Sequence, residues 1–277
     1  IAGPLMKQVA AGRRLVVMAA LCAAAALIVG LAYFAIRGAP LRYGAVNAAA
    51  FAVGLAAAAA LSIVDLRRNA AAVAGLAAGA ALIGVSAFGA SVDGVQRWVS
   101  FGGLSLQPGL ILAPALVALV GVRRDTIACL AAMLASAGLA LQPDRATTTA
   151  FAAALAVEAL VKFDKRILVA AGVGVAAMAA SFVQPDAVPP QMFVENVAAD
   201  AFAAHAALGL AVAAALALAC APYLFAASAS SLGVFWAGAA MASVIGAYPT
   251  PLVGYGASAI LGYLIGAGVA SARTPRR

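Results

Sequence analysis

The chain has 277 residues, 66% of them hydrophobic and 9% charged, with a mean hydropathy of +1.08. A water-soluble domain needs about 25% charged residues to cover its surface, so that class is excluded and a polytopic membrane protein is indicated. The net charge of +8 comes from basic residues set between apolar runs, with no basic, aromatic-interleaved surface. Nucleic acid is therefore not an expected partner, whereas membrane lipids are.

Apolar runs predict an all-α integral membrane bundle of about ten transmembrane helices, near 14–36, 44–65, 69–90, 108–122, 125–141, 146–162, 166–183, 201–226, 229–247 and 252–272. The linkers between them are short, so residues 1–277 read as a single membrane domain. Segment 1–13 is its cytoplasmic N-terminal part and 273–277 its cytoplasmic tail. The richness in Ala and Gly suits close helix packing. Cys22, Cys129 and Cys220 fall inside apolar runs at no metal or redox spacing and read as small buried hydrophobes.

The charges set an orientation. With the N-terminus inside and sides alternating, the inner segments hold Lys7, Arg13, Arg14, Arg67, Arg68, Arg123, Arg124, Lys162, Lys165, Arg166, Arg273, Arg276 and Arg277. The outer segments hold only Arg37, Arg42, Arg97 and Arg145, which accounts for all 17 basic residues. That bias places both termini in the cytoplasm. Asp65, Asp125 and Asp164 then lie inside beside basic residues, as local charge partners. Glu158 stands four residues before Lys162, the spacing of a structural helix pair.

The two longest loops, 91–107 and 184–200, are both outer, so chemistry is expected to face outward. The first is a polar, aromatic, glycine-rich island holding Asp93, Arg97 and Trp98. Arg97 has a planar fork suited to phosphate oxygens; its plain alternative is a snorkelling side chain paired with Asp93. Trp98 also suits an interfacial anchor. Asp144 follows Pro143 at the mouth of helix six, where it can cap the helix, pair with Arg145 or help a metal. Asp200 reads from the residues alone as the N-cap of helix eight. Asp186 and Glu195 read as a solvated acidic loop, with metal coordination as the alternative. His205, the one histidine, is expected about a turn below Asp200, buried and hydrogen-bonded.

Four segments, in order, resemble the SEDS family (shape, elongation, division and sporulation; the RodA/FtsW/SpoVE proteins). Gly94-Val-Gln-Arg97-Trp98-Val with Gln107-Pro108 is similar to G-x-x-R-W-I with a later Q-P-S-E. Leu141-Gln-Pro-Asp144-Arg-Ala-Thr147 is similar to L-Q-P-D-x-G-T. Ala199-Asp200-Ala-Phe202 resembles the T-D-F opening helix eight, and Pro251-Leu-Val-Gly-Tyr255-Gly256-Ala-Ser258 resembles P-F-x-S-Y-G-G-S. The chain departs from the family where Q-P-S-E-x-x-K becomes Gln107-Pro108-Gly109-Leu110-Ile-Leu-Ala113, where Gly254 replaces Ser, and in the short loop before helix eight.

The resemblance implies a reduced, divergent ten-helix peptidoglycan glycosyltransferase acting on lipid II at the outer face of the bacterial cytoplasmic (inner) membrane. The alternative it leaves is a catalytically inert scaffold or subunit of a larger complex. It makes Asp200 the catalytic base, and Arg97, Trp98, Gln107, Asp144, Tyr255 and Ser258 the substrate-binding residues, with Arg97 and Asp200 lining one outward cavity. Its implied partners are lipid II or another polyprenyl-pyrophosphate lipid and a single-pass transpeptidase or other membrane subunit. No tightly bound cofactor is expected; a divalent metal is the candidate aid to pyrophosphate departure.

Overall fold

The computed structural model describes residues 3–66, 69–186, 188–226 and 229–272. The basic tail 273–277, together with Arg67 and Arg68, lies outside the described residues. The helices are α1 (Gly3–Arg37), α2 (Leu41–Ser62), α3 (Asn69–Phe88), α4 (Pro108–Arg123), α5 (Thr126–Leu141), α6 (Arg145–Lys162), α7 (Lys165–Phe182), α8 (Val197–Ala204), α9 (Ala206–Leu224), α10 (Ser230–Ile245) and α11 (Ala257–Ser271). Five are long and apolar enough to cross a membrane and four more are shorter apolar helices. Their outward faces carry exposed Leu21, Ile28, Val53, Val73, Leu168, Leu210 and Met241, as lipid-facing surfaces do.

Local chemistry fixes the middle of the bundle well. Asp125, Asp144 and Asp164 each cap the helix that follows, accepting from the backbone N–H of Ala128, Thr147 and Arg166. Pro108 sits at the start of α4, where its missing N–H costs nothing. Helices α4 to α7 accordingly begin and end within a residue of the ranges expected from sequence.

Three expectations change. Helix one begins at Gly3, so segment 1–13 is largely part of it. Helix eight divides at His205, whose extended backbone ends α8 and whose Nδ1 caps α9 by accepting from Ala207 N–H at 3.2 Å. His205 is therefore an exposed cap rather than a buried histidine. The last helix starts at Ala257, because residues 251–256 form turns.

The structure is also not purely helical. Loop 91–107 folds as an antiparallel meander of β1 (Ala90–Val92), β2 (Val95–Phe101) and β3 (Leu104–Leu106). Its hairpins pair Val92 with Val95 and Phe101 with Leu104. The turns between them are Asp93-Gly94 and Gly102-Gly103, all four residues with positive φ, as two-residue type I′ turns require.

Helix α11 is buried on almost every side, between α2 and α4, with α1 also against it. Gly262 makes that possible: a Cβ there would collide with the Leu110 carbonyl of α4. Tyr263 is fully buried, accepts from Tyr223 OH at its carbonyl (2.6 Å) and donates its own hydroxyl to the Ala219 carbonyl (2.8 Å). Both phenols are thus satisfied in the apolar core. The three cysteines are buried and free.

Candidate active site at the sheet end of the bundle

The sheet, loop 183–196 and turn 246–256 meet at one end of the bundle. Glu195 and Pro249 form an antiparallel bridge, Thr250 N–H donates to the Val194 carbonyl at 2.9 Å, and Tyr255 N–H to the Phe193 carbonyl at 2.6 Å. Gly254 lies under this crossing: a Cβ would come within 2.8 Å of the Val194 oxygen and 2.9 Å of the Thr250 oxygen. A serine does not fit there, which gives that departure from the family pattern a physical reason. Asn47 of α2, completely buried, clamps the same turn by donating to the Gly254 carbonyl and accepting from Gly256 N–H, each at 3.0 Å.

These segments enclose a cavity of about 440 Å³. Trp98, Gln107, Tyr255 and Ser258 line it, as do Tyr43, Gln191, Glu195 and Thr250. Tyr43 and Tyr255 stack face to face, with centroids 3.8 Å apart and planes 11° from parallel. Gln107 joins three distant motifs. Its backbone N–H donates to Ser258 Oγ at 2.8 Å, and its side-chain Nε2 donates to Asp144 Oδ2 at 2.6 Å. Asp144, 1% exposed, holds Gln107 from behind while its other oxygen caps α6.

Arg97, Asp144 and Asp200 do not line this cavity. Arg97 is 4% exposed and pairs with Asp186 at 3.2 Å, with its guanidinium 4.7 Å above the Trp98 ring. The expected partner Asp93 is instead in the hairpin turn. Asp186 accepts a second bond from Tyr248 OH at 3.0 Å; burial and this carboxylate push the Tyr248 hydroxyl up to about 12. Asp186 is thus committed to structure rather than solvated.

Asp200 lies inside α8 rather than at its cap. Arg37 Nη2 donates to Oδ1 at 2.7 Å, and Arg37 Nε and Tyr33 OH donate to Oδ2 at 2.9 and 2.7 Å. Phe193 stands between this cluster and the cavity: its ring is 5.9 Å from Tyr33 and 5.8 Å from the cavity-lining Tyr43. This cavity is therefore not one that Arg97 and Asp200 share.

Glu195 is the carboxylate of the cavity wall. Its Oε2 accepts from Gln191 N–H at 2.6 Å. Burial raises its pKa above the ordinary carboxylate range, opposed by that bond and by the charge of Arg97. Among the described residues no three His, Cys, Asp or Glu side chains cluster as a metal site. The donors described at this site do not fit a divalent metal.

At the opposite end, Arg123 pairs with Asp125, Arg166 with Asp164, and Lys162 with Glu158 at 4.0 Å, the local partners expected there.

The chain matches no protein-family model and no curated protein. Among solved structures it is similar to the Rod shape determining protein RodA of Thermus thermophilus. The TM-score is 0.57 at 20% identity, over 91% of this chain and 94% of that one. This chain has the RodA fold. A single-residue variant of the same Thermus protein matches at TM-score 0.56 and 21% identity over the same shares. The protein is accordingly a ten-helix, multi-pass membrane protein, with α8 as a short extra segment before the eighth long helix.

Sequence reading passed over Arg37, Asn47 and Thr250 at this end of the bundle, and weighed Glu195 only as a solvated loop acid or metal ligand. Asn47 carried a usable signal, being a lone amide in an apolar helix. Arg37 follows Tyr33 by one helical turn, but nothing local ties it to Asp200.

Proposed function

We propose that this chain is a RodA-like membrane transferase that extends a glycan from a polyprenyl-pyrophosphate sugar donor such as lipid II, at the outer face of the bacterial cytoplasmic membrane. One observation carries the reading: Trp98, Gln107, Tyr255 and Ser258, drawn from two separate SEDS-like strings, line a single cavity, and Asp144 from a third braces it. Residues 151 apart in sequence meet there directly, the Gln107 backbone N–H donating to Ser258 Oγ.

A second reading, an inert scaffold, has its own support. Asp200 stands where the SEDS resemblance puts a base, yet Arg37 and Tyr33 occupy both its oxygens. With both oxygens engaged by the guanidinium fork and the phenol, this carboxylate is held as a structural tether. The Glu and Lys of the family string are also replaced by Leu110 and Ala113.

Purified protein incubated with lipid II, with and without a single-pass transpeptidase and a divalent metal, separates the two. The transferase reading expects glycan chains in at least one of these mixtures. Lipid II left unconsumed in all of them selects the scaffold.

A further inference from the structure

The cavity wall has a chemistry of its own. Among the described residues no Lys or Arg lines it, and its charged side chain is Glu195. Arg97 does not line the cavity: it lies over Trp98 and pairs with Asp186, and its charge reaches Glu195 from there. An anionic pyrophosphate would therefore meet a carboxylate with no cation in the wall itself, the nearby Arg97 being already paired with Asp186, which disfavours it in a part-buried site. A polyprenyl tail would strand the polar groups of the wall. A volume of about 440 Å³ falls in the range of about 300–1,000 Å³ usual for small-molecule sites.

An uncharged sugar meets none of these objections. A pyranose ring has C–H faces and a rim of hydroxyls. Trp98, Tyr43 and Tyr255 put aromatic rings in the wall, apolar surface of the kind that C–H faces pack against. The rim meets groups with bonding capacity to spare. Gln107 gives its Nε2 to Asp144 and keeps Oε1 to accept. Ser258 Oγ accepts from Gln107 N–H and keeps its proton to donate. Thr250 is 3% exposed, and its hydroxyl oxygen has no partner among the described residues. Such a buried orphan calls for a ligand or water. Across the Glu195–Pro249 bridge from it, Glu195 uses Oε2 on Gln191, and its Oε1 makes no hydrogen bond among the described residues.

We propose that this cavity holds an uncharged saccharide unit of the acceptor glycan, and that Glu195 takes the proton from its attacking hydroxyl. This rests on the transferase reading. The acceptor oxygen bonds to the donor's anomeric carbon as that carbon's bond to the pyrophosphate oxygen breaks. The bonding pair leaves with the pyrophosphate, and the hydroxyl proton passes to the Glu195 carboxylate. Burial, which raises the affinity of Glu195 for a proton, suits it to this task better than the clamped Asp200.

Two measurements on the full-length protein in detergent test the proposal. The first titrates Trp98 fluorescence with an N-acetylglucosamine disaccharide and, separately, with inorganic pyrophosphate, using Trp98→Phe as the background for buried Trp236. Saturable quenching by the disaccharide alone is expected, weakened by Thr250→Val. Quenching by pyrophosphate in its place overturns the saccharide assignment. The second compares turnover of lipid II. Glu195→Gln should lower kcat by about 100-fold or more while disaccharide affinity stays within about threefold, which also certifies that the variant is folded. Asp200→Asn should keep most of its turnover. Wild-type kcat in Glu195→Gln with loss of turnover in Asp200→Asn overturns the role of Glu195 and leaves the transferase reading standing. Absence of product from the wild type overturns that reading and the proton step together, while the fluorescence titration still decides the saccharide site.

Discussion

At the scale of single residues, two carboxylates in this site answer to opposite physics. Glu195 is raised by burial, so its neutral form is favoured in the folded protein. A raised folded pKa contributes stability that is fully present below the unfolded value and is lost as pH rises through the folded one. Glu195→Gln, which is never charged, escapes that loss. Its melting temperature relative to wild type should therefore climb as pH rises from below the ordinary carboxylate range toward neutrality; a constant difference over that rise would mean the carboxylate is freely solvated. Asp144 is instead a buried structural acceptor, for Gln107 Nε2 and for the first turn of α6. Asp144→Ala removes the α6 cap and leaves the buried Gln107 amide without its acceptor, a loss of about 2–3 kcal/mol. Asp144→Ser, which restores the cap alone, should recover about 1 kcal/mol of it in denaturant titrations. No recovery would place the whole effect on Gln107.

At the scale of elements, what was legible from sequence depended on the distance over which each feature is decided. The caps at Asp125, Asp144 and Asp164 are settled within three residues, and the helices they open were read almost to the residue. The meander was legible too, since Asp93-Gly94 and Gly102-Gly103 are two-residue hairpin signals on either side of a run rich in Val, Trp and Phe. Reading 91–107 only as an island between spans passed over that signal. The break at His205 was not legible: residues 201–226 are continuously apolar apart from that one side chain, and its extended backbone depends on how α8 packs. Nor was the tether of α8 to α1, because Arg37 lies 163 residues from Asp200. That tether is testable by a double-mutant cycle on Arg37→Ala and Asp200→Ala. Both side chains are about one-third exposed, 33% and 29%, so solvent screening limits the coupling to about 1 kcal/mol even with bidentate geometry. Additive effects would mean that α8 is held by its apolar contacts alone.

For the whole molecule, the consequence of the fold is that polar chemistry and basic charge part company. The sheet, the cavity and the Arg37–Asp200 pair share one end; Arg123, Arg124, Lys162, Lys165 and Arg166 gather at the other. Basic segments near helix ends are retained on the cytoplasmic side during insertion, so the cavity is expected to open away from the cytoplasm, where a lipid-linked acceptor and its growing glycan have room. Single cysteines report this directly once Cys22, Cys129 and Cys220 are replaced. Arg42, Asp93 and Pro190 are exposed at the sheet end, and Arg124 and Lys165 at the basic end. In intact cells a membrane-impermeant maleimide should label Arg42→Cys, Asp93→Cys and Pro190→Cys, and should reach Arg124→Cys and Lys165→Cys only after permeabilisation. The opposite pattern would turn the cavity toward the cytoplasm. Polymerisation at the outer face would then be impossible for this chain, however well its cavity fits a sugar.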